Sequence, residues 1–120
     1  MKFAGWYGIV VGLLMLGQWG FFLATGSVPE LQTAPYEITF HLAAELVTAA
    51  GLLAGGVGLL RERPWSAPVY LVSAGMLLYS VIASPGYFAQ RGQWALVGLF
   101  ALLLLLAAWS VVAVRRSQRA

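Results

Sequence analysis

Glu37, His41 and Glu45 recur at every fourth position inside an otherwise apolar stretch. A step of four residues turns a helix by about 400°, so the three side chains fall within one narrow arc. An ionisable group inside a membrane-length segment costs roughly 3 kcal/mol to insert and calls for a partner. Imidazole and carboxylate at this spacing suit zinc, manganese or iron, with His41 and Glu45 as the pair that can share one ion. Glu37 and Glu45 stand about 12 Å apart along the axis, so at most two of the three reach one ion without help from other helices. Haem held by two axial histidines cannot form within one chain, because His41 is the only histidine. A symmetric dimer would have to supply the second.

Two further chemistries use the same residues. Buried carboxylates and histidines are the usual members of proton or ion relays. No comparable polar series continues through the other half of the chain, so no complete pathway is visible. The alternative is a site for a polar small molecule, a lipid head group or a quinone, to which Trp19 and Tyr79 would add aromatic contact. The structural reading is simpler. Glu37 then sits at a helix N-terminus, where the dipole favours a carboxylate, and His41 and Glu45 hydrogen-bond each other and Gln18 or Tyr79.

These residues must be positioned by membrane helices. Hydrophobic residues make up 61% of the 120-residue chain, charged residues only 9%, and the mean hydropathy is +0.83. Soluble domains carry about 25% charge. Four apolar spans follow, at about 3–24, 36–60, 65–84 and 94–114. Each is long enough for a hydrocarbon core of about 30 Å. Apolar residues run continuously instead of alternating, which argues against a β-barrel. The expected fold is all-α, a single-domain integral membrane four-helix bundle. With no cysteine, thiolate, disulfide and iron–sulfur chemistry are excluded.

The net charge of +3 does not point to nucleic acid, because the basic residues lie at the ends of apolar runs. Lys2, Arg61, Arg63, Arg115, Arg116 and Arg119 fall on one side of a four-span chain and Arg91 on the other. The positive-inside rule then places both termini in the cytoplasm. A cleaved signal peptide ending at Ala24-Thr25-Gly26 is the rival reading. The first run is too long for one and carries Trp6, Gln18 and Trp19, so a retained span is expected. On this topology Glu37, His41 and Glu45 descend from the outer face, and the polar site lies in the outer half of the membrane.

Breakers mark the connections. Thr33 is the expected N-cap of the second helix, and Ser84-Pro85-Gly86 is expected to end the third. Gly8 and Gly12 form one small-xxx-small step, Gly51 and Gly55 another, letting backbones approach closely. Packing within the bundle is the direct use of these steps, and a homodimer seam is the other. Arg91 reads as an outer-surface anchor or a partner for Glu37.

The run Ala43-Ala44-Glu45-Leu46-Val47, followed by Gly51-Leu52-Leu53 and Gly58-Leu59-Leu60-Arg61, resembles the second helix of DoxX-like proteins. Ala74-Gly75-Met76-Leu77 resembles the span that follows it there. The resemblance implies a small four-helix membrane protein of a bacterium or archaeon, in the inner membrane, with Glu45 at a helix-two glutamate often seen in the family. It also implies, for some members, a place in quinone-linked oxidoreductase complexes. His41 and the 84–88 segment have no counterpart in that pattern. The reading from sequence is therefore a non-catalytic or accessory membrane protein, its partners being the bilayer and a homodimer or larger membrane complex. A ligand-, quinone- or metal-binding component of a redox complex is the alternative, and a small transporter or channel the third choice. No cofactor is named by these residues.

Overall fold

Continuous hydropathy yields long helices because, without water, every backbone N–H and C=O must be satisfied within its own segment. The computed structural model describes residues 2–119, and the side chain of Arg119, counted above among the basic residues, lies outside what is described. The elements are α1 (Lys2–Ala24), α2 (Glu30–Thr33), α3 (Pro35–Leu60), α4 (Ser66–Ala83), α5 (Pro85–Gln90) and α6 (Trp94–Arg119). Four helical segments are long and apolar enough to cross a membrane: Lys2–Ala24, Pro35–Leu60, Ser66–Gln90 and Trp94–Gln118. The molecule measures 49 × 25 × 19 Å, long enough to span a bilayer with its interfacial layers, roughly 40–45 Å. Leu13, Leu14, Phe21, Phe40, Val72 and Leu105 cover its flanks and are all exposed. Soluble monomers rarely present an apolar surface of that extent. The chain is a multi-pass membrane protein by this measure.

Neighbouring spans run antiparallel. Gly5 lies beside Gly56 and Leu60 while Gly12 lies beside Ala49, and Gly51 lies beside Ser73 while Gly58 lies beside Ser66. Helix α6 closes against α4 through a buried hydrogen bond from the Tyr70 hydroxyl to Ser110 Oγ, 2.8 Å, and Ser110 donates onward to the Ala107 carbonyl, 2.7 Å. It meets α1 where the Tyr7 hydroxyl donates to the Leu103 carbonyl, 2.7 Å. Lys2, the Arg61–Arg63 turn and Arg115–Arg116 thus share one end, the basic end. The connections at 25–34 and 91–93 form the other, the loop end.

Three helix ends close in the same way, with crossed backbone hydrogen bonds around a residue in the left-handed region. After α1, Ser27 bonds back to Phe22 and Gly26 to Leu23, with Gly26 at φ 68°. After α5, Gln93 bonds to Phe88 and Gly92 to Ala89, with Gly92 at φ 72°. After α3, Arg63 bonds to Gly58 and Glu62 to Leu59, but the left-handed residue is Glu62, at φ 55°. Glycine is the usual occupant, since a Cβ is disfavoured there.

One expectation about the connections does not hold, and another holds with an addition. Thr33 does not cap α3: Ala34 occupies that position without a side-chain cap, and the Thr33 hydroxyl donates to the Pro29 carbonyl, 3.4 Å. A short helix, α2, has taken up Thr33 instead. Ser84-Pro85-Gly86 does end α4, at Ala83, but a new short helix starts at once. Ser84 stays helical at φ −66°, ψ −34°, and Pro85 takes the first position of α5, where a missing N–H costs nothing. The helical path therefore continues to Gln90, and the open loop shrinks to 91–93.

Candidate functional site

One stripe of α3 faces α4 along its whole length, and its composition changes halfway. Toward the basic end it is Gly51, Gly55 and Gly58, and the backbones nearly touch. A methyl group on Gly55 would lie 2.8 Å from Tyr70 Cα, and one on Gly58 2.6 Å from Ser66 Cβ. Toward the loop end the same stripe continues as Thr48, Glu45, Ala44 and His41. Beside these side chains a cleft of about 210 Å³ lies between α3 and α4. His41, Ala44, Glu45 and Thr48 form one wall, and Met76, Tyr79, Ser80, Ala83 and Ser84 the other. From Met76 to Ser84 the cleft runs about 12 Å along the seam.

Glu45 is the centre of the site. It is only 9% exposed and lies ten residues into α3, about 15 Å from the helix start. The Ser80 hydroxyl donates to Glu45 Oε1 across the helix interface, 2.6 Å. A charge-assisted hydrogen bond of this kind is worth about 1.5–3 kcal/mol. Most other hydroxyls in the spans bond their own helix: Thr48 donates to the Ala44 carbonyl and Ser73 to the Val69 carbonyl. Ser80 is therefore distinct in crossing to a carboxyl group. His41 Nε2 stands 3.7 Å from the same Oε1, beyond hydrogen-bond length, with its side chain 49% exposed. Its other face meets the edge of Trp19 on α1, centroids 5.8 Å apart.

The sequence candidates separate accordingly. His41, Glu45 and Tyr79 come together around the cleft. Tyr79 is 76% exposed at its mouth, and no hydrogen bond to its hydroxyl occurs among the described residues. Glu37 is exposed in the first turn of α3, outside the cleft. Gln18 is exposed on α1 and makes no side-chain hydrogen bond among the described residues, so the expected link from Glu45 to Gln18 or Tyr79 is replaced by Ser80. Serine 80 is one position from Tyr79, about 100° around the helix, and only the rotation of α4 selects between them. Arg91 does not reach Glu37. Its guanidinium lies over the Tyr87 ring at 3.6 Å and donates to the Tyr87 carbonyl. Gly8 and Gly12 lie against α3, and Gly51 and Gly55 against α4, all within one chain.

The donor set limits the chemistry. His41 and Glu45 are two potential metal ligands, and no cluster of three or more His, Cys, Asp or Glu occurs among the described residues. A resident ion commonly needs three or four ligands, so the others would have to come from outside this chain. Serine, histidine and glutamate are also the members of a hydrolase triad, but the wiring differs. Ser80 bonds Glu45 directly, whereas a nucleophilic serine must give its proton to the imidazole.

A family model described as a domain of unknown function, DUF8058, matches residues 1–120. The chain belongs to that family. The match neither carries nor opposes the resemblance to DoxX-like proteins. No curated protein and no solved structure matches the chain.

Proposed function

We propose that this chain is a non-catalytic membrane protein that receives the head group of a lipid-soluble molecule in the α3–α4 cleft. The observation that carries the reading is Glu45: a carboxyl group ten residues into α3, nine-tenths buried, held by Ser80 and facing open space. A bundle needing only a polar clamp would close around such a pair, as α4 and α6 close around Tyr70 and Ser110. Here a cleft lies beside the pair instead. The volume is below the roughly 300 Å³ of small drug-sized pockets, which suits a head group whose apolar tail stays in lipid. Tyr79 at the mouth lies on the bundle's outer surface, so entry is sideways from the bilayer.

Orientation and setting belong to the same proposal. The basic end faces the cytoplasm by the positive-inside rule, putting the cleft in the outer half of the membrane. A bacterial or archaeal inner membrane follows from the DoxX-like resemblance, and so does an accessory place in a larger membrane complex. Native mass spectrometry of protein released from mild detergent tests the cleft. An added mass retained by the wild type and absent from Glu45→Gln is the expected result. Bare protein in both samples would overturn the reading.

A further inference from the structure

We propose that the head group taken by the cleft is a cation, specifically the ammonium of a single-chain lipophilic amine. The inference rests on the cleft being a binding site and names its ligand class. No lysine or arginine lines either wall, and the only acid is Glu45. An anionic head group would meet a carboxyl group with nothing to offset it. A zwitterionic phospholipid fails for the same reason, since its phosphate would enter with its ammonium.

The hydrogen-bonding inventory points the same way. Ser80 spends its proton on Glu45 Oε1, and Thr48 spends its own on the Ala44 carbonyl. A carboxylate has about four acceptor positions, and Ser80 fills one. The unspent capacity at Glu45 itself is therefore for accepting, and a ligand group that meets it must donate; the free hydroxyls on the facing wall, those of Tyr79 and Ser84, make no hydrogen bond among the described residues. Ammonium has three donors and the charge that a carboxylate surrounded by hydrocarbon lacks. His41, the other titratable group beside Glu45, stops at 3.7 Å and leaves that position open. At the mouth, the exposed Tyr79 ring offers a π face, which attracts ammonium groups. Met76, Ala44 and Ala83 line the remainder with apolar surface suited to the first methylenes of a tail.

Photo-crosslinking in liposomes decides it. Three probes share one twelve-carbon tail and a diazirine beside the head, which is a primary ammonium, a hydroxyl or a sulfate. The expected result is preferential labelling of cleft residues, Met76 and Tyr79 among them, by the ammonium probe. Glu45→Gln lowers that labelling by about ten- to a hundredfold, the equivalent of one charge-assisted hydrogen bond. Glu37→Gln, which alters an acid on the same helix but outside the cleft, retains it. Equal labelling by the hydroxyl probe would overturn the cation and leave the binding cleft standing. Labelling of the cleft by none of the three would overturn both. The three-probe comparison uses the unaltered chain, so it holds even if Glu45→Gln fails to fold, and Ser80→Ala then provides a milder second variant.

Discussion

The two ends of the α3–α4 seam use one helix face in opposite ways. At the basic end, glycines bring the backbones together, and the polar pair that joins α4 to α6 there, Tyr70 with Ser110, is closed in a local circuit. At the loop end, the stripe carries side chains, and the polar pair Glu45 with Ser80 faces a cleft. The glycines divide likewise. Methyl groups at Gly5, Gly8, Gly12, Gly51, Gly55, Gly56 and Gly58 would collide with a neighbouring helix, whereas Gly17, Gly20 and Gly98 toward the loop end meet nothing within 4 Å. A wider and more open groove of about 380 Å³ also lies on the seam beside Gly51, but Ser73 is the only polar side chain lining it and its hydroxyl is spent on the Val69 carbonyl. The basic end is the fastening, and the loop end is where binding can occur.

The largest test of that contrast is steric. Gly55→Val should lower stability by about 3 kcal/mol or prevent folding, because the clash is with Tyr70 backbone, which cannot swing aside. Gly20→Ala in the open half should instead gain about 0.5 kcal/mol through helix propensity. Thermal unfolding in detergent reads both, and equal losses would erase the distinction between the ends. The next effect concerns Glu45. Replacing it with leucine should raise stability by about 1–2 kcal/mol, since removing a buried acid from hydrocarbon outweighs one lost hydrogen bond, while ligand retention disappears. A destabilised Glu45→Leu would make the Glu45–Ser80 bond a fastening like the one at Tyr70. The smallest effect is Glu62→Gly, expected to gain about 1 kcal/mol by relieving a Cβ in the left-handed region. It touches neither seam, so it should leave ligand retention unchanged and calibrate the other two.

Local rules read parts of this molecule well and other parts poorly, for identifiable reasons. The arc shared by His41, Glu45 and Thr48 follows from helical pitch alone, and these residues do lie on one wall. Pitch also puts Glu37 on that arc, but pitch says nothing about where the facing helix stops. Glu37 lies in the first turn of α3, outside the cleft wall. The breaker signal at Ser84-Pro85-Gly86 was genuine in composition yet marks only a one-residue seam, since proline is compatible with a first helical turn. The choice of Tyr79 over Ser80 as Glu45's partner shows the limit most plainly. Both residues are at a suitable depth, and the one that bonds is set by the rotation of α4.

What the sequence determined by itself is the membrane-spanning class, the four helices, the basic asymmetry of the two ends and the polar stripe on α3. Each is local, because hydropathy and helical pitch act within a single segment. What the tertiary structure decided is which polar groups meet and where space remains. Ser80 against Glu45, Tyr70 against Ser110 and the cleft between α3 and α4 depend on how rigid helices rotate and tilt against one another. That orientation is set by side-chain volumes summed over the whole interface, chiefly glycines at one end and Thr48, Glu45 and His41 at the other. No single segment contains that sum.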